Sequence, residues 1–248
     1  MDTEKIKKAF KDCGIKKGDT IVLHGDAGIA AQIKSNTKDK VSYFFDILID
    51  FVGKNGNILI PTFTYSSCKK NYFDKENNKS EVGLFSESFR NRKNIKRTDH
   101  PIFSFAIFGK KFKHFNTASI ETCFGNDSIF QFLHNLNAKI ICLGCDLERV
   151  TFTHYVEEFY KVDYRFNKVF NIYCKNKKKS ILTNYYVRKL NEKSTIDLSK
   201  LNKYLKKKNK IKVSTFGRYN LILIKAKDFF ISCTELLNKN KNSLIKKN

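Results

Sequence analysis

Two stretches stand close together near the middle of the chain: Lys139-Ile140-Ile141-Cys142-Leu143-Gly144, then Thr151-Phe152-Thr153-His154-Tyr155-Val156-Glu157-Glu158. The first is a short, mostly apolar run closed by glycine, which reads as a buried strand. The second opens a helix, with His154 and Glu157 three residues apart and therefore on one face. A strand followed by a helix in this way belongs to an α/β architecture, and such sheets bind ligands at the carboxyl ends of their strands. That position makes His154 and Glu157 a candidate proton-handling pair. A solvated His–Glu pair on a helix surface is the plain alternative, and the rest of the sequence decides between them.

Working outward, residues 3–13 carry Ile6, Phe10 and Cys13 at helical spacing, and Thr20–His24 reads as a strand. Val41, Phe44, Phe45, Leu48 and Val52 follow a 3.6-residue period that ends at Gly53, and Asn57–Ile60 is a second strand stopped by Pro61. This strand–helix–strand order predicts a parallel pair with a right-handed crossover. Residues 61–83 lack periodicity and read as a long loop of the kind that carries function. A helix near 84–92, a strand at Ile102–Phe108, and a helix at Asp127–Leu136 capped by Asn126 or Asp127 follow. Beyond residue 165 the spacing predicts a hairpin (Val169–Cys174 with Ser180–Val187), a charged helix near 198–209, strands at Lys212–Phe216 and Tyr219–Ile224, and a last helix from Lys225 to Leu237. The fold expected is a three-layer α/β/α sandwich with a mixed, largely parallel central sheet plus a C-terminal hairpin. Residues 1–240 are expected as a single domain, and 241–248 as a basic, disordered tail.

The formal charge is +24 over 248 residues. Clustered lysines would suit a phosphate backbone, but here they are interleaved with asparagines along the whole length, so a nucleic-acid partner is not expected. The densest runs, Lys175–Lys179 and Lys206–Lys210, fall at an expected turn and helix end. There is no apolar run of eighteen residues to span a membrane and no apolar signal core at the N-terminus, so a cytoplasmic protein is expected. Seven scattered cysteines, mostly in apolar segments, fit buried thiols better than a disulfide frame. Cys142-Leu143-Gly144-Cys145 has metal-like spacing, yet no second pair or nearby histidine completes a tetrahedral set, so no metal is expected.

His24-Gly25-Asp26-Ala27-Gly28 directly follows the first strand, where glycines permit close approach of backbone to a ligand. It lacks the residues of a Walker loop and the third glycine of a dinucleotide fingerprint. Asp99-His100-Pro101 stands just before a strand, with proline fixing the chain at the strand mouth.

Taken in order, these segments form a more specific pattern. Gly18-Asp19-Thr20 leads to His24; Pro61-Thr62-Phe63-Thr64 comes next; Arg97-Thr98-Asp99-His100-Pro101 is followed by Ser104 and Gly109. Phe124-Gly125-Asn126-Asp127-Ser128, Leu143-Gly144 and Val150–Glu157 complete it. In order and spacing this resembles the aminoglycoside 3-N-acetyltransferase family over residues 5 to 165, and more faintly through Phe216-Gly217-Arg218-Tyr219. The resemblance implies an acetyl-CoA-dependent acyltransferase in which His154 acts on the acceptor amine and Glu157 orients it. It further implies coenzyme contacts at His24, Gly25, Asp26, Ala27, Gly28, Thr62 and Phe63, and along Arg97, Thr98, His100, Pro101, Phe103 and Ser104. Arg97 would pair with a phosphate through its fork of donors.

Two departures bear on the acceptor. His24-Gly25-Asp26-Ala27 stands where many members have His-Ser-Ser-Leu. The segment before Asp99 carries Lys69, Lys70, Lys75 and Lys79, and a +24 field disfavours a polycationic drug. The sequence therefore leads to the expectation of an amino sugar carried on a nucleotide diphosphate, used in surface-glycan synthesis. The alternative is a true antibiotic-inactivating aminoglycoside acetyltransferase, and a remote one is a basic nucleic-acid-binding protein. A homo-oligomer stays open.

Overall fold

The computed structural model describes residues 1–190 and 194–246. In chain order its elements begin with α1 (Thr3–Cys13), β1 (Thr20–Gly25), α2 (Lys40–Val52), β2 (Asn57–Pro61), α3 (Ser67–Lys70), β3 (Tyr72–Phe73) and α4 (Leu84–Arg90). They continue with β4 (Lys96–Arg97), β5 (Phe105–Phe108), α5 (Phe112–Phe115), α6 (Ile129–Asn135), β6 (Lys139–Leu143) and α7 (Phe152–Tyr160). β7 (Arg165–Cys174), β8 (Lys179–Arg188), α8 (Ser199–Lys207), β9 (Ile211–Phe216), β10 (Tyr219–Lys225) and α9 (Ala226–Lys239) complete the order.

Seven strands form the central sheet in the order β4-β5-β2-β1-β6-β10-β9. β1 is parallel to both β2 and β6, and every other pairing is antiparallel, so the parallel character is confined to the three central strands. Because β2 and β6 flank β1 on opposite sides, the strand order reverses at β1, which is where open α/β sheets leave a crevice. Alternation along the strands fills two cores. Ile21, Leu23, Ile58, Ile60, Ile141 and Leu143 pack with α1, α2 and α4 on one face. Val22, Leu59, Ile140 and Cys142 pack with α6, α7 and α9 on the other. Helices thus cover both faces.

Several expectations change in detail. The β7–β8 hairpin forms where predicted, around the Lys175–Lys177 turn, but joins β3 in a separate three-stranded sheet. Ile102 to Ser104 bend before β5 instead of joining it, because His100 Nδ1 accepts from both the Ile102 and Phe103 amides. The cap of α6 is Ser128, whose side chain accepts from Gln131 N, while Asp127 sits in the left-handed region at φ 59°. The expected disordered tail instead turns back onto the fold. Leu244 is buried, the Leu244 carbonyl accepts from Asp197 N, and Ser243 Oγ donates to the Leu236 carbonyl. An apolar pair, Leu244 and Ile245, anchors what the basic composition concealed; residues 247 and 248 lie outside the described residues. Among the described residues, no helix is long and apolar enough to cross a membrane, and no cluster of His, Cys, Asp or Glu is arranged to hold a metal. All seven cysteines are free thiols.

Candidate active site

A cleft of about 1040 Å³ opens at the carboxyl ends of β1, β2 and β6. Its walls are His24–Ala27 after β1, Pro61, Phe63 and Tyr65 after β2, Gly144–Asp146, Glu148 and Arg149 after β6, Glu81–Ser86 entering α4, and Thr151 and His154 of the α7 region. Two glycines make the walls fit. A Cβ on Gly25 would meet the Phe85 ring at 2.6 Å, and Gly144 leaves β6 at φ +69°, a conformation that disfavours side chains.

His154 reaches the cleft from α7. Its side chain is 22% exposed, and its Nδ1 lies 2.7 Å from Glu157 Oε2. Glu157 is fully buried; Tyr164 OH donates to its Oε1 at 3.0 Å, and Arg165 Nε stands 2.7 Å from Oε2 as an ion pair. The Arg165 Nη2 is also 2.9 Å from His154 Nδ1, and Nη1 donates to the Tyr186 carbonyl at 3.1 Å. Phe124 packs edge-on against the imidazole at 5.4 Å. Burial pushes the His154 pKa below its ordinary value, and the charge of Arg165 adds to that, while Glu157 opposes it. For Glu157, burial pushes upward, but the His154 hydrogen bond, the charges of His154 and Arg165, and the Tyr164 hydroxyl together hold the carboxyl below its usual range. The ring's polar contacts run through Nδ1, which can donate to Glu157 or accept from Arg165 Nη2 but not both, and among the described residues none hydrogen bonds Nε2. With Nδ1–H donated to Glu157, Nε2 keeps its lone pair and can accept a proton.

The other residues singled out from sequence divide sharply. His24, Gly25, Asp26, Ala27 and Phe63 line the cleft with His154. Gly28 does not; its amide is spent on Asp26 Oδ1 at 2.7 Å. The stretch from Arg97 to Ser104 lies off the cleft altogether. Arg97 is buried, with Nε donating to Ser104 Oγ at 2.9 Å, Nη1 to the Lys75 and Asn78 carbonyls at 3.1 and 2.5 Å, and Nη2 to the Thr62 carbonyl at 2.6 Å. The fork expected to hold a phosphate is consumed by the protein's own acceptors. His100 staples its loop through both nitrogens, Nε2 lying 3.1 Å from the Thr122 carbonyl. Thr62, Thr98, Pro101, Phe103 and Ser104 are buried around them and do not line the cleft.

Sequence reasoning missed the acidic wall. Asp26, Glu81, Asp146 and Glu148 face the cleft, with Arg149 as its one Lys or Arg side chain among the described residues. The lysines that had been expected to repel a cation lie elsewhere: Lys75 pairs with Asp99 at 2.7 Å, and Lys69, Lys70 and Lys79 are exposed away from the lining. Asp146 and Glu148, two and four residues after Gly144 in a chain this basic, were the available signal.

The family profile described as aminoglycoside 3-N-acetyltransferase matches residues 34–238, most of the chain. The chain belongs to that family. It is 24% identical over 188 residues to the SPbeta prophage-derived aminoglycoside N(3')-acetyltransferase-like protein YokD of Bacillus subtilis (strain 168), an alignment covering 65% of this chain and 66% of that protein, just under two thirds. The crystal structure of YokD superposes with TM-score 0.77 at 20% identity, covering 96% of this chain and 99% of that one. The aminoglycoside acetyltransferase AAC(3)-IVa apoenzyme gives 0.82 at 17% identity, covering 99% and 92%, and a mutant of it in complex with apramycin gives 0.76 at 18%, covering 98% and 94%. AAC-IIIb, in a binary complex with CoASH, gives 0.78 at 14% identity, covering 100% and 99%. At these identities the solved structures establish a shared fold. The family is one of acetyl-CoA-dependent N-acetyltransferases.

Proposed function

We propose that this protein transfers an acetyl group from acetyl-CoA to an amine of a cationic, aminoglycoside-type amino sugar in the cytoplasm. The observation that carries this reading is the reversal of charge at the site. A chain of formal charge +24 gathers four carboxylates against one arginine around the cleft that receives His154. A polyamine acceptor gains from such a wall, and a nucleotide diphosphate would meet it with like charge. The nucleotide-linked sugar expected from net charge therefore gives way to the antibiotic-type acceptor. The neighbours solved with apramycin and with CoASH support both halves of the reaction.

In this reading His154 Nε2 removes a proton from the acceptor ammonium, which cannot attack while protonated. The freed nitrogen attacks the thioester carbon; a C–N bond forms and the carbonyl becomes an oxyanion. Collapse breaks the C–S bond, the departing thiolate takes the proton held on the imidazolium, and the second proton of the former ammonium leaves the new amide nitrogen for solvent. Glu157 fixes the ring through Nδ1 and stabilises its charged form, as the acid of a hydrolase triad does. His24, Gly25, Asp26, Ala27 and Phe63 are positioned to meet the coenzyme or acceptor across the cleft.

The test is thiol release from acetyl-CoA across a panel holding aminoglycosides and nucleotide-linked amino sugars. Turnover on the cationic drugs, with little on the nucleotide sugars, is expected. Faster turnover on a nucleotide-linked sugar would overturn the proposal.

A further inference from the structure

Arg165 does not reach the cleft lining, yet it touches both members of the His–Glu pair. Its Nη2 is 2.9 Å from His154 Nδ1, its Nε is 2.7 Å from Glu157 Oε2, and its Nη1 is tied to the Tyr186 carbonyl. Only about 7% of the residue is exposed, so the guanidinium cannot swing into water. We propose that Arg165 is a positioning residue that keeps Glu157 ionised while His154 is unprotonated, so that the resting enzyme presents a free base. This inference rests on the reading of His154 as the base.

The argument turns on who neutralises Glu157. A fully buried carboxylate needs a permanent partner, because an unpaired charge in the interior is strongly penalised. Were His154 that partner, the ring would be protonated at rest and useless for taking a proton from an amine. The groups facing the pair leave one candidate. Tyr164 donates from the chain just before β7 but is neutral; Cys233 faces Glu157 from α9 as a neutral thiol; Tyr186 contributes a carbonyl from β8. From α6, His134 bonds Tyr155 instead. The charged groups of the cleft wall are Asp26, Glu81, Asp146, Glu148 and Arg149. Arg165 is the cation in contact with Glu157. It also stands against Nδ1, where its charge disfavours imidazolium, in line with the direction in which His154 is shifted. A guanidinium has no acceptor atom. When Nδ1–H is donated to Glu157, Arg165 therefore adds field at the ring without taking the proton.

The experiment is a nitrogen-15 NMR titration of His154 in the folded protein, which needs no substrate and so separates this inference from the acetyl-transfer reading. Arg165→Gln keeps a donor for Tyr186 and removes the charge; the His154 midpoint should rise by about 1–3 units, and the acid limb of kcat/KM should move with it. Arg165→Lys should restore most of the wild-type midpoint. Should Arg165→Gln fail to fold, the same change is made in a Glu157→Gln background, where no buried carboxylate is stranded, and the midpoint should again rise. An unmoved midpoint in whichever background folds, with activity merely scaled down at every pH, would reduce Arg165 to a packing role and overturn the inference.

Discussion

The Arg97–Ser104 loop and the corner between α7 and β7 are made from the same kinds of residue. Each buries an arginine and combines it with a histidine and a carboxylate: Arg97, His100 and Asp99 in one, Arg165, the half-buried His154 and Glu157 in the other. In the loop every polar group closes on the protein. Arg97 donates to three backbone carbonyls and a hydroxyl, His100 engages both ring nitrogens, and Asp99 takes Lys75 and Lys177 at 2.7 and 2.6 Å. At the corner Glu157 and the Nδ1 side of His154 are engaged in the same way, while the Nε2 of His154, on the side chain that reaches the cleft, has no hydrogen-bond partner among the described residues. A saturated cluster stabilises a fold, and a cluster with one uncommitted lone pair can perform proton transfer.

That contrast is open to attack at each histidine. His154→Ala should lower kcat by about 10²–10⁴ with little change in the urea midpoint. His100→Ala should instead leave the Ile102 and Phe103 amides without their acceptor, destabilise by about 1–3 kcal/mol, and spare the kcat of the folded fraction. If His100→Ala cost as much in kcat as His154→Ala, the division between the clusters would fail. Next in size, Arg97→Met strands the Thr62, Lys75 and Asn78 carbonyls. It should cost about 3 kcal/mol in chemical denaturation while leaving the KM for acetyl-CoA unchanged. A selective rise in that KM would return Arg97 to a phosphate-binding role.

A smaller effect sharpens the other side of the comparison. Asp146→Asn with Glu148→Gln should raise the KM for a cationic aminoglycoside by about three- to tenfold, since both side chains are exposed and screened. The penalty should shrink as salt is added. The smallest effect concerns Glu158, beside the pair but outside it, whose carboxyl burial pushes up to about 7. Its folded pKa exceeds the unfolded value, so its contribution to stability is present at low pH and lost as pH rises through 7. Glu158→Gln should therefore stabilise the protein modestly above pH 7 and change nothing below pH ~4.3, the unfolded carboxyl value. Thermal melts across that range check it.

How much of this was legible beforehand follows from the same physics. β1, β2 and β6 announced themselves because Ile21–Leu23, Ile58–Ile60 and Ile140–Leu143 must be apolar on both faces. α2 was readable from the 3.6-residue recurrence of its phenylalanines. The two-residue strands β3 and β4 have no signal of their own, since β7 and β5 impose them. At the site, His154 and Glu157 were readable from helical spacing. Arg97 misled because sequence shows a fork of donors but not the carbonyls that fill it. Glu81 lies more than seventy residues from His154, and Arg165 opens a strand that carries no periodic hint of its target, so only the fold brings either one to the site. Net charge misled about the acceptor for a related reason: a sum over the chain says nothing of which charges meet in a cleft.

The most direct test of the base is the pH dependence of kcat/KM for the wild type and His154→Gln, measured side by side on the same aminoglycoside. Burial and Arg165 hold the imidazole below its ordinary value, so the wild type should stay active as pH falls to and below ~6.5, then lose activity through one ionisation. In His154→Gln the residual rate should lack that ionisation. The same acid limb in both proteins would contradict the account.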